Sequence, residues 1–391
     1  MPSSTVTSAA RFRRVAVASH CTAMSGVGDP LRDYLRACSD DLSIAWYPFA
    51  HTGDRIARLE RFIEGVPAPG RCLAAPRWIP TLARDFFANF WWFLRKPRSQ
   101  LFIGVDNVNA TCGILLKWLG KTDRVVFYVI DYTRRRFKNP LLNRIYHWAD
   151  AFSVRFSDEI WNISPRIAEV RAREQGVDPS RNKVVPNGVD LSIIPGAPSR
   201  REHDLVMMAH LIPEKGVQTA IAALPAVRAA LPDARLIIIG DGPYRSHLER
   251  LSEELGVEGA VIFYGLLGRE EMYRRLVECG VGLAPYTRDP DSITYFADPG
   301  KPKEYLACGL PVITTDVPSI AQEIRDIPLG AVAPFEPEGL AEAILALLAD
   351  ASFYRRCVAN AAEYARRFQW SEIFDRALAD ARKAQTAVSK K

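Results

Sequence analysis

Three short stretches carry residue types suited to gripping a phosphate. The first, His20-Cys-Thr-Ala-Met-Ser25-Gly26-Val-Gly28-Asp29-Pro30, sets two glycines between an apolar run and a helix-start signal, with Asp29 suited to an N-cap and Pro30 to the first helical position. Glycine lets backbone approach an anion, and a helix N-terminus adds unpaired N–H groups and partial positive charge. The dinucleotide fingerprint G-x-G-x-x-G is incomplete, since Leu31 occupies the third glycine position. An ordinary tight turn is the competing explanation of Gly26 and Gly28. In the second stretch, LVMMAHLIPEKGVQTAIAAL, Lys215 falls on a strand-to-helix turn, where its ammonium can meet a diphosphate or simply be solvated. The third, Asp298-Pro-Gly-Lys-Pro-Lys-Glu304-Tyr-Leu-Ala-Cys-Gly-Leu-Pro311, brings a glycine, two lysines and a carboxylate to one helix start. Backbone N–H groups near Gly300 and Lys301 suit a phosphate, and Glu304, one turn further on, suits ribose hydroxyls.

The elements that must hold these loops are short β-branched runs alternating with helical stretches, the pattern of strand-helix-strand units and parallel sheets. The first half offers strands near 15–19, 43–47, 101–105, 125–130, 160–163 and 183–185, and the second near 205–208, 235–239, 260–264, 281–285, 311–314 and 330–332. The Pro/Gly/Asn/Ser-rich segment 186–201 reads as an interdomain connection. The expected fold class is α/β, with two Rossmann-like domains, 1–195 and 196–369, facing a central cleft. The amphipathic segment near 370–391 is placed to pack back on the first. In such sheets ligands bind beyond the carboxyl ends of the strands, where all three stretches fall.

Composition bounds the partners. The chain has 391 residues, 48% hydrophobic and 25% charged, and its seven cysteines show no paired spacing, which reads as reduced cytoplasmic thiols. Its polar, basic start lacks the apolar core of a signal peptide, and no apolar run is long enough to span a bilayer. Residues 1–195 carry a net charge of +10 and residues 196–391 of −4, so the first half is suited to an anionic partner. Residues 84–98, RDFFANFWWFLRKPR, set aromatics beside cations, as at an anionic membrane surface or in a buried crossover helix.

Five motifs, two of them overlapping the second and third stretches, together resemble glycosyltransferase family 4 of the GT-B fold group over residues 183–385. They are Val185-Pro-Asn-Gly-Val-Asp190, Pro213-Glu-Lys-Gly216, Leu236-Ile-Ile-Ile-Gly-Asp-Gly-Pro243, Phe263-Tyr-Gly265 and Lys303-Glu-Tyr-Leu-Ala-Cys-Gly-Leu-Pro-Val312. The resemblance implies retaining transfer from a nucleotide-sugar donor. Lys215 would hold its diphosphate and Glu304 its ribose, and backbone at Leu266 and Leu267 would meet the base. Two positions depart from the family pattern. Phe296 stands eight residues before Glu304, where many members have a second glutamate, although Pro299, Lys301, Glu304 and Tyr305 match a Pro-x-Lys-x-x-Glu-Tyr form. His210 stands where an arginine is usual and would supply a weaker, pH-dependent charge at the donor. In the first domain Asp131 ends a strand-like run where the family often has a histidine or acid, so it is a candidate catalytic base for the acceptor hydroxyl or a helix cap.

The implied protein is a cytoplasmic enzyme, peripheral on the inner face of the plasma membrane, acting in polysaccharide or glycolipid synthesis on a glycan or lipid-linked acceptor. No cofactor, metal or nucleic acid is expected, and Asp289-Pro-Asp291, which mimics a metal motif of another glycosyltransferase fold, is read as a polar turn. Competing readings are a sugar-nucleotide epimerase, a nicotinamide-dependent oxidoreductase and a non-catalytic nucleotide-sugar-binding protein.

Overall fold

Strands that are apolar at every position need cover on both faces, and helical crossovers supply it. The computed structural model describes residues 11–21, 26–48, 56–74, 81–196, 199–288 and 293–388. Ser25 and the Asp289-Pro-Asp291 stretch fall outside them. Residues 1–187 with 370–391 form one compact unit, and 188–369 form another.

In the first unit the chain runs β1 (Phe12–Cys21), α1 (Gly28–Cys38), β2 (Ser39–Pro48), β3 (Ile56–Ile63), β4 (Val66–Ala74), α2 (Thr81–Leu94), β5 (Ser99–Val105) and α3 (Asn107–Trp118). It continues through β6 (Thr122–Val129), α4 (Pro140–Phe156), β7 (Glu159–Asn162), α5 (Pro165–Gln175) and β8 (Asn182–Val184). The eight strands lie in the order β4-β3-β2-β1-β5-β6-β7-β8, reversing direction of travel between β1 and β5. All neighbours are parallel except β2 with β3 and β3 with β4. That antiparallel hairpin is not anticipated by a reading of parallel units alone. It closes on Glu64 and Gly65, both at positive φ, a two-residue turn whose Glu-Gly sequence lacks the usual Asn-Gly signal. Its outer strand, β4, carries Pro67 and Pro69.

In the second unit the order of elements is β9 (Arg201–Met208), α6 (Val217–Ala230), β10 (Arg235–Ile239), α7 (Arg245–Glu254), β11 (Val261–Gly265) and α8 (Arg269–Glu278). Then come β12 (Cys279–Ala284), α9 (Ile293–Phe296), α10 (Gly300–Ala307), β13 (Val312–Thr314), α11 (Ile320–Asp326), β14 (Gly330–Val332), α12 (Pro337–Ala349) and α13 (Ala351–Ala365). Its six strands are ordered β11-β10-β9-β12-β13-β14. Alternate residues split cleanly between the two faces: Leu205, Met207, Leu236 and Ile238 pack with α6 and α12, while Val206, Met208, Ile237 and Ile239 pack with α8, α10 and α11.

The last helix, α14 (Trp370–Val388), belongs to the first unit. Fully buried Phe374 meets the Tyr34 ring of α1 at 5.4 Å, and Arg382 donates to Asp375 at 2.8 Å and to the Tyr34 hydroxyl at 2.7 Å. Lys183 ties the same helix to β8 through Asp380 at 2.9 Å. None of the described helices is long and apolar enough to cross a membrane. Because Phe374 anchors α14 by burial, Phe374→Ala should destabilise the protein by about 3 kcal/mol or more, read as a fall in the urea midpoint of the first unit.

Candidate active site

The second sheet reverses its order at β9, where β10 departs to one side and β12 to the other, and the loops after β9 and β12 meet there. Their approach is tight. Gly216 adopts φ 71°, and a Cβ on it would sit 2.5 Å from the Pro285 carbonyl oxygen, so only glycine closes this turn. Thr287 reaches the Glu214 carbonyl at 3.4 Å across the same junction. Gly240 and Gly242 are similarly required, because their Cβ atoms would strike the backbone of Ala209 at 1.8 Å and Leu211 at 2.4 Å.

Lys215, on a short 3-10 turn ending at Gly216, lies within electrostatic reach of Lys301, and Lys301 within reach of Glu304. Burial and the neighbouring Lys301 lower the Lys215 pKa, and burial lowers that of Lys301 against the pull of Glu304. Burial raises the Glu304 carboxyl, opposed by Lys301 and Arg269. Two ammonium groups are thus held half-buried in one region, Lys215 also acted on by Glu214 and Lys301 by Glu304, which Arg269 acts on in turn.

Helix α10 is fixed beneath this site by Tyr305, whose hydroxyl accepts from the Met208 amide at 2.6 Å and whose ring fills the space left by Gly282. Gly300 is the first residue of α10, and the volume where its Cβ would stand is open. The two lysines separate. Lys301 belongs to the site, whereas Lys303 is buried, paired with Asp298 at 2.5 Å and set over the Phe368 ring at 4.2 Å. Phe296 is buried, so no carboxylate stands at that position. His210 is exposed at the end of β9 and donates through Nδ1 to the Asp241 carbonyl at 2.8 Å. Leu266 is exposed after β11, while Leu267 packs on the core. Arg269 escapes motif reading. It opens α8, bonds the Tyr273 hydroxyl and acts on Glu304, which Tyr273 meets at 3.5 Å. Its position just after the Leu266-Leu267-Gly268 loop is the signal that could have found it.

The first unit places its residues separately. Helix α1 starts at Gly28 with Val27 as its cap, so Asp29 is a first-turn acid paired with Arg32 at 2.7 Å and not the N-cap its sequence suggests. Gly28 is needed for packing, since a Cβ there would meet Trp46 at 2.6 Å, whereas Gly26 is exposed with open space around it. Asp131 follows β6, is 32% exposed and pairs with Arg136 at 2.5 Å. It caps no helix, because Asn139 caps α4.

Beside them lies a polar cluster that no motif announces. At the reversal between β1 and β5, buried His20 contacts Asp106 at 2.5 Å and Asp85 at 3.1 Å. Asp106 caps α3 from a left-handed φ of 86° unusual for a side-chain-bearing residue, Asn109 donates to it at 2.8 Å, and Arg84 neutralises Asp85. Burial pulls the imidazole down, but Asp106 and Asp85 outweigh it and raise His20 to about 10.

Residues 195–364, most of the second unit, match the family described as Glycosyl transferases group 1. Among curated relatives, a glycogen synthase from Mycobacterium tuberculosis is 27% identical over 59% of this chain and 56% of its own length. A phosphatidyl-myo-inositol mannosyltransferase from Propionibacterium freudenreichii is 31% identical over 50% of this chain and 46% of its own. The chain thus spans about half the length of these relatives. Among solved structures, Anabaena HepE in complex with UDP shares the fold with a TM-score of 0.67 at 15% identity, covering 97% of this chain and all of that one.

A histidine whose pKa rises on folding stabilises the native state below its unfolded value of about 6.5, and that contribution fades as pH climbs to about 10. The wild-type melting temperature should therefore fall across that window by more than that of His20→Gln, measured in parallel pH series.

Proposed function

We propose that the chain is a retaining, metal-independent glycosyltransferase that moves a hexose-type sugar from a nucleotide-sugar donor to a glycan or lipid-linked acceptor, in polysaccharide or glycolipid synthesis at the cytoplasmic side of a membrane. The observation that carries the reading is the cation pair Lys215 and Lys301 with Arg269 and Glu304, set at the order reversal of a glycosyl transferases group 1 domain. Cleavage of the sugar–phosphate bond leaves positive charge on the sugar ring and negative charge on the departing diphosphate. Fixed cations already desolvated by the fold stabilise that diphosphate without reorganising. Lys215 and the amide of Lys301 at the start of α10 take this part, and Glu304 accepts from ribose hydroxyls. Support for the donor class comes from HepE, whose structures hold UDP and UDP-glucose. Support for the acceptor class comes from the phosphatidylinositol-directed mannosyltransferases among the relatives.

In the first unit, the partly exposed carboxylate of Asp131 at the end of β6 is assigned to the acceptor hydroxyl, as positioning group or base. An epimerase would need a second acid or base beside the sugar, and buried Phe296 does not supply one.

Thermal-shift titration with UDP, GDP and ADP and their sugar conjugates, in chelator, tests the donor site. One nucleotide should stabilise the protein selectively, and Lys215→Ala or Glu304→Ala should weaken it roughly 10- to 100-fold, as expected for loss of a charge-assisted contact. Dependence of that shift on manganese would remove the metal-independent mechanism. Asp131→Asn should keep the nucleotide affinity and lower turnover by about 100-fold or more; unchanged turnover would take Asp131 out of the reaction.

A further inference from the structure

Helix α2, the aromatic stretch that the sequence leaves open between a membrane contact and a buried crossover helix, spends most of its side chains on the first unit's own core. Asp85, Ala88, Asn89 and Phe93 are buried and Phe86, Phe90 and Trp92 partly so, leaving Phe87 and Trp91 outside, with Arg95 stacked on Trp91 at 4.0 Å. A broader apolar face lies elsewhere. Along α4, Leu141, Ile145, Trp148, Phe152 and Phe156 recur at spacings of four, three, four and four, which puts them on one side of the helix. That side is opposite Asp150, Ser153 and Val154, the residues α4 buries. All five but Phe152 are exposed, Trp148 to 67%.

The rings form a continuous ridge. Trp148 stacks on Phe152 at 5.7 Å, Phe152 meets Phe156 at 4.8 Å, and exposed Trp118 at the end of α3 packs edge-on against Phe152 and Phe156 at 5.8 and 5.4 Å. Cations border it. Arg144 and Arg155 are exposed on the helix, Arg155 lying 5.6 Å over the Phe156 ring, and Arg135 and Lys138 are exposed on the loop leading into it. The sole acid of α4, Asp150, is turned inward and held by Arg171, and the nearby Asp131 and Asp158 are paired with Arg136 and Lys117.

We infer that this α3–α4 face docks the first unit onto an anionic lipid surface. Tryptophan and phenylalanine favour the headgroup boundary, leucine and isoleucine the acyl region beneath it, and arginine reaches back to lipid phosphates. A second copy of the chain fits the face poorly, because a two-fold pairing would set Arg144 and Arg155 against their own counterparts with no exposed acid on the helix to offset them. The lipid surface also lies along the helix that follows the Asp131 loop, so an acceptor embedded in that surface would be presented to the first unit edge-on. The surface assignment goes beyond the transfer reaction, and vesicle binding is read without donor or acceptor, so its failure leaves the transferase reading untouched.

The test is flotation of the full chain with vesicles of phosphatidylcholine alone and with about 30 mol% phosphatidylglycerol. Wild type should float with the anionic vesicles and be released by about 0.5 M salt. Ile145→Glu/Trp148→Glu, and the milder Ile145→Ser/Trp148→Ser, should reduce partitioning at least tenfold with unchanged melting temperature, while Phe87→Ser/Trp91→Ser should float as wild type does. Arg144→Glu/Arg155→Glu should abolish the preference for anionic lipid. Wild type remaining unbound, either α4 pair binding normally, or the α2 pair alone losing binding would overturn the assignment. So would a wild-type dimer in sedimentation velocity that the α4 substitutions dissolve.

Discussion

The second unit depends on backbone brought unusually close to backbone where its sheet changes direction. At Gly216 the turn after β9 comes within a side chain's width of Pro285, and at Gly240 and Gly242 the turn after β10 does the same against Ala209 and Leu211. The Gly216 turn carries Lys215, and Lys301 on α10 lies close enough for the two charges to oppose each other. Burial and this mutual repulsion both weigh against the charged form of Lys215, and Glu214 works the other way. Glycines in motifs of this kind are commonly read as ligand contacts. Here most of them earn their place by fitting loop against loop, and the ligand-facing chemistry falls to side chains that those loops carry.

Much of this was legible in one sequence, for a physical reason. Central strands buried on both faces are uninterrupted apolar runs, so β10 appears with its own boundaries, and the loop after it stands out by its Gly, Pro and charge. The β3–β4 hairpin escaped because its turn uses Glu64 and Gly65 and because its strands, with a face toward solvent, mix charge with apolar residues. Chemistry that is local in sequence, such as Lys301 and Glu304 on one helical turn, is readable. The His20 cluster is not, since Asp85 and Asp106 lie 65 and 86 residues away and meet it only where β1 and β5 run side by side. Nor could spacing separate Lys301 from Lys303. Two residues apart on a helix, they point to different sides, one into the site and one into a buried pair with Asp298.

The two units use the same topological device for different ends. Each sheet reverses order once in its middle, β1 to β5 in the first and β9 to β12 in the second. At the second reversal the fold gathers Lys215, Lys301 and Glu304, whose pKa values burial shifts toward their neutral forms. At the first it fills the crevice with a histidine and two carboxylates that largely satisfy one another. One reversal gathers two lysines, and the other pairs its histidine with two carboxylates, an asymmetry that the net charges of the two halves of the chain would not suggest.

The hairpin that extends the first sheet also has a bearing on how the protein survives at high concentration. An unguarded border strand offers a row of amide donors to any passing extended chain. Pro67 and Pro69 remove two of those donors from β4, and arginine at position 71 adds charge beside them. The last strand of the sheet is therefore a poor template for recruitment. At this border, a chain with so much exposed aromatic surface on α4 is guarded against edge-to-edge pairing with a second copy.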